Sequence, residues 1–298
     1  VTTITAPAKE HVGMNWFSRR HGARTLLVML AAMTSFGAPA AESVVEAIPM
    51  EPITQIINAF QTHSIVALGD GPGDGDNGNE PGHAFRLSLI RDPRLARAAN
   101  DIVVGFGNAL FQDTLDRFVR GEAVPYDELR KAWQDTPLSA DFFNTIRTVN
   151  ATMPADQGFR VILGDPGKTD NAVAALIREE VLTKGRHALV VYGEKHLLRQ
   201  SAAPTITSIL EGEGMQIFSV WTNTSTDLSQ FQPSVAEWPA PSLAMIESTA
   251  LPLRDQFDAI LYVGTPESIS YSVPAGGECL TISPPRRTEI LEISPSRN

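Results

Sequence analysis

Five times along this chain a short apolar run stops at a glycine that has a polar residue beside it. Ile65-Val66-Ala67-Leu68 ends at Gly69-Asp70, and Ile102-Val103-Val104 leads to Gly107-Asn108. Val161-Ile162-Leu163 ends at Gly164-Asp165, Leu189-Val190-Val191 at Gly193-Glu194, and Ile260-Leu261-Tyr262-Val263 at Gly264-Thr265. Apolar runs this short, bounded by turn residues, predict strands buried on both faces. Strands of that kind belong to parallel sheets covered by helices. The polar residues then gather at the carboxyl ends of the strands, the rim where open α/β sheets bind ligands.

Between the runs the period changes to that of a helix. Ile53, Ile56, Ile57 and Phe60 predict a helix over Pro52 to Thr62. A second runs from His83 to Arg97, broken or restarted at Pro93. A third spans Asn108 to Arg120 and closes at Gly121. Glu122 to Ala151 reads as helical throughout, too long for a simple crossover, and is expected to form an insertion that caps the rim. Asp170 to Lys184, Lys195 to Arg199 and Thr205 to Glu211 complete the helices. Met215 to Trp221 is a further strand. Asn223 to Ser248 reads as irregular, and so does the tail 266–298, rich in Pro, Ser and Gly. The fold class expected is α/β, with a largely parallel sheet, helices on both faces and a helical insertion at 122–151.

The first forty residues read differently. Met14 opens a pattern of positive charge (Arg19, Arg20, Arg24), an apolar core from Thr25 to Phe36, and a small-x-small site at Ala38-Pro39-Ala40. This is the grammar of a secretory signal peptide over 14–40, with 1–13 as an upstream extension and 41–298 as a single α/β domain. The apolar core is short for a membrane-spanning helix. A periplasmic or secreted product is expected, with no stable membrane insertion after cleavage. The chain carries a formal charge of −10, and loss of the leader makes it more negative. Nucleic acids and anionic membrane surfaces are therefore poor partners, and a small molecule is the expected ligand. One cysteine, Cys279, permits no internal disulfide. The sequence is silent on oligomeric state.

Several constellations bear on chemistry. Asp70, Asp74, Asp76 and Glu80 crowd a Gly-rich loop, yet no register places Gly sixth and Glu twelfth as an EF-hand requires. GxSxG, HExxH, CxxC and GxxxxGK[ST] are all absent, so no metal site is expected. His83 and His196 each follow a strand end and are expected to meet across the rim, where an imidazole beside a carboxylate can take a proton from water. Asp70, Glu80, Asp165 and Glu194 are the candidate orienting groups. Asn77 and Asn108 are candidate substrate contacts, Asn108 as a donor to a developing oxyanion. His63 and His187 begin strands and read as structural.

The segments ALGD, GNEPGHAFRLSLIRDP, NDIVVGFGNALFQDTLDRFVRGEAVPYDELRKAW, RVILGDP, YGEKHLLR and FDAILYVGTPESI together resemble exported bacterial proteins of the erythromycin-esterase and ChaN/Tiki-like superfamily, over about Ile65 to Ile269. In the esterase branch the resemblance implies metal-free opening of an ester or lactone by a His-activated water. There a Gly-Glu turn and a His-Gly pair follow the first strand, a Glu ends the second, and a later His completes the site. In this chain Asp70 stands for the first Glu, Asn77-Gly78 for His-Gly, and Gly105 for the second Glu, while His196 matches the later His. His83 is the substitute partner base. The ChaN-like branch implies instead a non-catalytic protein that binds haem or a divalent cation, with Tyr192, His83 and His196 as the available ligands.

Overall fold

Each apolar run becomes a strand because its side chains have a helix to meet on either side. The computed structural model describes residues 47–70, 80–133, 137–164, 167–223, 238–246, 253 and 255–264. These all lie in one of the chain's two compact units, Ser43–Asn298. The extension 1–13, the leader 14–40, Asn77 and most of the Gly-Asp loop, Asp165, and the tail 266–298 lie outside the described residues, as do the side chains of Asp70 and Glu80. No helix among the described residues is long and apolar enough to cross a membrane.

The strands are β1 (Ile65–Asp70), β2 (Asp101–Val104), β3 (Arg160–Leu163), β4 (Ala188–Gly193), β5 (Ile217–Asn223), β6 (Ser242–Met245) and β7 (Ala259–Tyr262). They form one sheet in the order β3-β2-β4-β1-β5-β7-β6. Every pair is parallel except β6 with β7. β6 corrects the irregular reading of 223–248. Ser-Leu-Ala-Met carries no β-branched or aromatic residue, so its extended state comes from its partners. It pairs with β7, and Leu243 exchanges backbone hydrogen bonds with Met50.

The helices are α1 (Pro52–Ala59), α2 (Glu80–Arg91), α3 (Pro93–Ala98), α4 (Gln112–Val119), α5 (Tyr126–Ala132), α6 (Pro137–Asn150), α7 (Asp170–Glu180) and α8 (Ile206–Gly212). Pro93 does restart the helix: Asp92 caps α3 and Pro93 is its first residue. Side chains alternate across the sheet. Val66, Leu68, Ile102, Val104, Leu189 and Val191 enter one core with residues of α1 to α6. Ile65, Ala67, Val103, Ala188 and Val190 enter the other with α7 and α8. Helices therefore cover both faces, as the doubly apolar strands require.

The block at 122–151 forms α5 and α6 and belongs to the first of these layers. α6 buries Phe142, Phe143 and Ile146 in that core, each worth about 2 kcal/mol of apolar burial. Arg147 bolts α6 to the end of α4. Its guanidinium donates to the carbonyls of Phe118, Gly121 and Glu122 at 2.6–2.8 Å and lies 4.6 Å from the centre of the Phe118 ring. A cation on the last carbonyls of a helix is favourably placed. The block packs on this layer by its own aromatic face, and the end of α5 reaches the rim, where the Asn108 N–H donates to the Ala132 carbonyl at 2.8 Å.

The amino ends of the strands carry a clamp. Asp101 is fully buried and receives a guanidinium fork from each of two arginines: Arg160 at 3.0 and 3.1 Å, Arg186 at 2.8 and 2.7 Å. Arg160 also donates to Glu180, as does Lys184. The hydrogen bond from Arg160 to Asp101 leads the interactions that hold this guanidinium protonated beyond its usual range. At the same edge His187 Nδ1 meets the Ala98 carbonyl and His63 Nδ1 the Ala59 carbonyl, so both imidazoles tie strand starts to helix ends.

Candidate functional site

The sheet order places the site. β1 hands the chain to helices on one face, and its neighbour β4 leads to α8 on the other. Adjacent strands whose connections part to opposite faces open a crevice at their carboxyl ends. At this point Asp70 is in register with Gly193, and Gly69 lies between Tyr192 of β4 and Trp221 of β5.

Directly after β4, Glu194–His196 makes a single 3₁₀ turn. This turn carries both Glu194 and His196 at the rim. Glu194 crosses the end of β1, where a Cβ on Gly69 would stand 3.3 Å from the Glu194 Cβ. Its Oε2 accepts the indole N–H of Trp221 at 2.5 Å. The carboxylate is thereby fixed by a strand two places away rather than left to solvent.

His196 turns the other way. Its Nδ1 lies 2.6 Å from Asp170 Oδ1, and its side chain is 31% exposed against 17% for Asp170. An ionised carboxylate only accepts, so Nδ1 carries a proton, and in the neutral ring Nε2 is then the atom with the free lone pair. No other described residue hydrogen-bonds Nε2. The ring also meets that of Tyr192 edge to face at 5.6 Å, which adds a second constraint on its orientation. Asp170 is the first residue of α7, and Thr169 before it accepts the capping hydrogen bond from Ala172. The helix start is thus satisfied without Asp170, whose carboxylate is left to hold the imidazole.

Asp170 is the residue that sequence reasoning missed. Asp70, Glu80, Asp165 and Glu194 were the expected orienting groups because they stand nearest the glycines. The available signal was Thr169-Asp170 opening the helix after β3, since a helix that follows a parallel strand begins at the same rim.

His83 does not meet His196. It lies in α2, within the layer on the opposite face, and its ring is buried with Nε2 3.2 Å from Asp141 Oδ2 on α6. The expectation that two imidazoles converge is corrected by the topology: β1 and β4 send their following elements to different faces. Asn108 uses its amide oxygen to accept from Leu110 N–H at 3.1 Å, capping a short 3₁₀ turn. Only its NH₂ remains to act as a donor.

Gly105 stands where the resemblance would have a carboxylate, and its place is filled. A Cβ there would lie 2.8 Å from the Tyr192 ring. Across β2, a Cβ on Gly164 would meet the same ring at 2.8 Å and the Val104 carbonyl at 2.9 Å. Tyr192 is buried over both glycines. Gly164→Ala should therefore destabilise the fold by about 1–3 kcal/mol, because the obstacle includes backbone that cannot step aside. Thermal unfolding checks this, and an unchanged midpoint would mean that the Tyr192 ring is not seated there. Among the described residues no group of three His, Cys, Asp or Glu side chains is arranged to hold a metal ion.

Neither a family model nor a curated protein matches the sequence. The chain is similar in structure to a crystal structure of a Bacillus cereus protein, with 12% identity and a TM-score of 0.47 over 74% of this chain and 95% of that one. It is also similar to the type III effector HopBA1, at 11% identity and a TM-score of 0.43 over 75% of this chain and 99% of that one. A third likeness, to a structure of bacterial protein toxins, has 16% identity and a TM-score of 0.41 over 57% of this chain and 36% of that one.

Proposed function

We propose that this chain is an esterase-like hydrolase in which His196 activates water against a carboxylic ester or lactone. The observation that carries the reading is the pair of Asp170 and His196: a carboxylate on Nδ1, an Nε2 with no described partner, and a ring one-third exposed at the sheet rim. Nε2 takes a proton from water as the oxygen attacks the carbonyl carbon. The imidazolium, steadied by Asp170, then returns that proton to the departing alkoxide as the tetrahedral adduct collapses. A positioned acid–base group of this kind contributes about 10²–10⁴ in rate.

Glu194 and the exposed Lys195 share the turn that carries His196, so the rim presents charges of both signs around the imidazole. The leader-like segment at 14–40 supports action outside the cytoplasm. The test is hydrolysis of a panel of activated esters and lactones by the protein from Ala41 onward, beside His196→Ala. A rate that falls to the buffer level in the variant, with an unchanged unfolding midpoint, supports the hydrolase. A rate indifferent to His196 overturns it.

A further inference from the structure

A second concavity lies at the opposite edge of the sheet. Arg91 ends α2 and Arg97 lies in the last turn of α3. Both line a cavity of about 420 Å³ closed by the end of α6 and the segment leading into β3. That volume is in the range of small-molecule pockets. α3 runs on to the start of β2, and Gln157 of the wall shortly precedes β3, so the cavity belongs to the amino-terminal edge and His196 to the other.

The cavity joins two exposed cations, neither in a described ion pair, to an apolar wall. Among the described residues neither Arg91 nor Arg97 forms an ion pair. Arg91 gives one N–H to Thr145 Oγ1 at 3.3 Å, and Arg97 makes no hydrogen bond to a described residue, acting on Asp92 only through space. The nearby acid, Asp92, is already taken: Arg94 grips both its oxygens at 2.8–3.2 Å. This occurs in a chain of net charge −10, where cations would ordinarily find acids. The remaining polar donor on the wall is Gln157, and Val149 and Met153 supply apolar surface. The Thr148 hydroxyl donates to the Asn144 carbonyl, so recognition of charge falls to the guanidiniums. Two planar forks suit a carboxylate or phosphate.

We propose that this cavity binds a small organic anion, a carboxylate or phosphate monoester whose charged end meets Arg91 and Arg97 and whose hydrocarbon body lies against Val149 and Met153. The site is independent of hydrolysis at the rim.

The test uses the protein labelled with ¹³C at its methionine methyls, the Met153 signal being assigned with Met153→Leu. Phenyl phosphate, benzoate and inorganic phosphate are titrated separately. The expected result is a saturable shift of the Met153 methyl with phenyl phosphate or benzoate, whichever binds more tightly naming the acid. In Arg97→Gln binding should weaken about tenfold or more, the scale of a lost charge-assisted hydrogen bond. That variant breaks no described hydrogen bond or ion pair and loses only a through-space attraction to Asp92, which Arg94 still grips, so its unfolding midpoint should stay close to the wild-type value. No saturable shift with either organic anion, or equal affinity in Arg97→Gln, would overturn the site. Inorganic phosphate binding as tightly as phenyl phosphate would overturn the amphipathic ligand.

Discussion

Asp101→Ala should lower the thermal unfolding midpoint by about 6–12 °C. Removing one partner of a buried ion pair costs about 3–5 kcal/mol, and each kcal/mol moves the midpoint of a domain this size by about 2–4 °C. The low end, about 3 kcal/mol, is the better figure here. Arg160 and Arg186 are each about one-third exposed at their side chains, so water can recover part of what their forks lose. Asp101 itself is fully buried, and its two oxygens accept all four of those bonds. Asp101→Asn keeps the shape but loses the charge, and should fall between wild type and Ala. Differential scanning calorimetry on the three proteins checks the order. A midpoint for Asp101→Ala within about two degrees of wild type would mean that the arginines hold the strand starts without it.

The second large effect is on turnover. Asp170→Asn should cut kcat for any ester the protein hydrolyses by roughly 10³-fold while leaving KM near its original value. The substitution is nearly isosteric, and Thr169 continues to cap the helix, so the fold should lose only about 1–2 kcal/mol with the charge-assisted bond. An amide beside Nδ1 no longer stabilises the imidazolium that forms as water is deprotonated. It can also present N–H to the ring and so favour the wrong tautomer. Steady-state kinetics of Asp170→Asn beside His196→Ala separates the possibilities. Loss in both supports a working pair. Loss only in His196→Ala would leave Asp170 as a structural neighbour.

The parts of this architecture that sequence could reveal are those with a local signature. Val66, Leu68, Val104 and Leu189 announce buried strands because nothing but flanking helices can cover both faces of a run such as Ile-Val-Val. Pro93 and Gly121 mark helix limits through constraints on a single residue's backbone. β6 was illegible for the converse reason: Ser242 to Met245 owes its conformation to strands that are neighbours only in space. The site divides in the same way. His196 is legible because it lies just past a strand end. Asp170 is not, because its role depends on which strand precedes its helix in the sheet order. The separation of His83 from His196 likewise follows from handedness and topology, which leave no trace in the residues around either one.

The order β3-β2-β4-β1 has a consequence for how the chain is made. β4 lies between β1 and β2, pairing with both, yet is synthesised after them and after β3. Until Ala188 to Gly193 leave the ribosome, the inner edges of β1 and β2 face a gap that no earlier segment fills. All the helices of one layer can be present by then, but the sheet they cover is split in two. The growing polypeptide thus carries three open, strongly apolar strand edges, both of β1 and one of β2, through much of its synthesis, the kind of surface that recruits either a chaperone or another nascent chain. Closure is a late insertion between distant partners, which makes folding slow by construction.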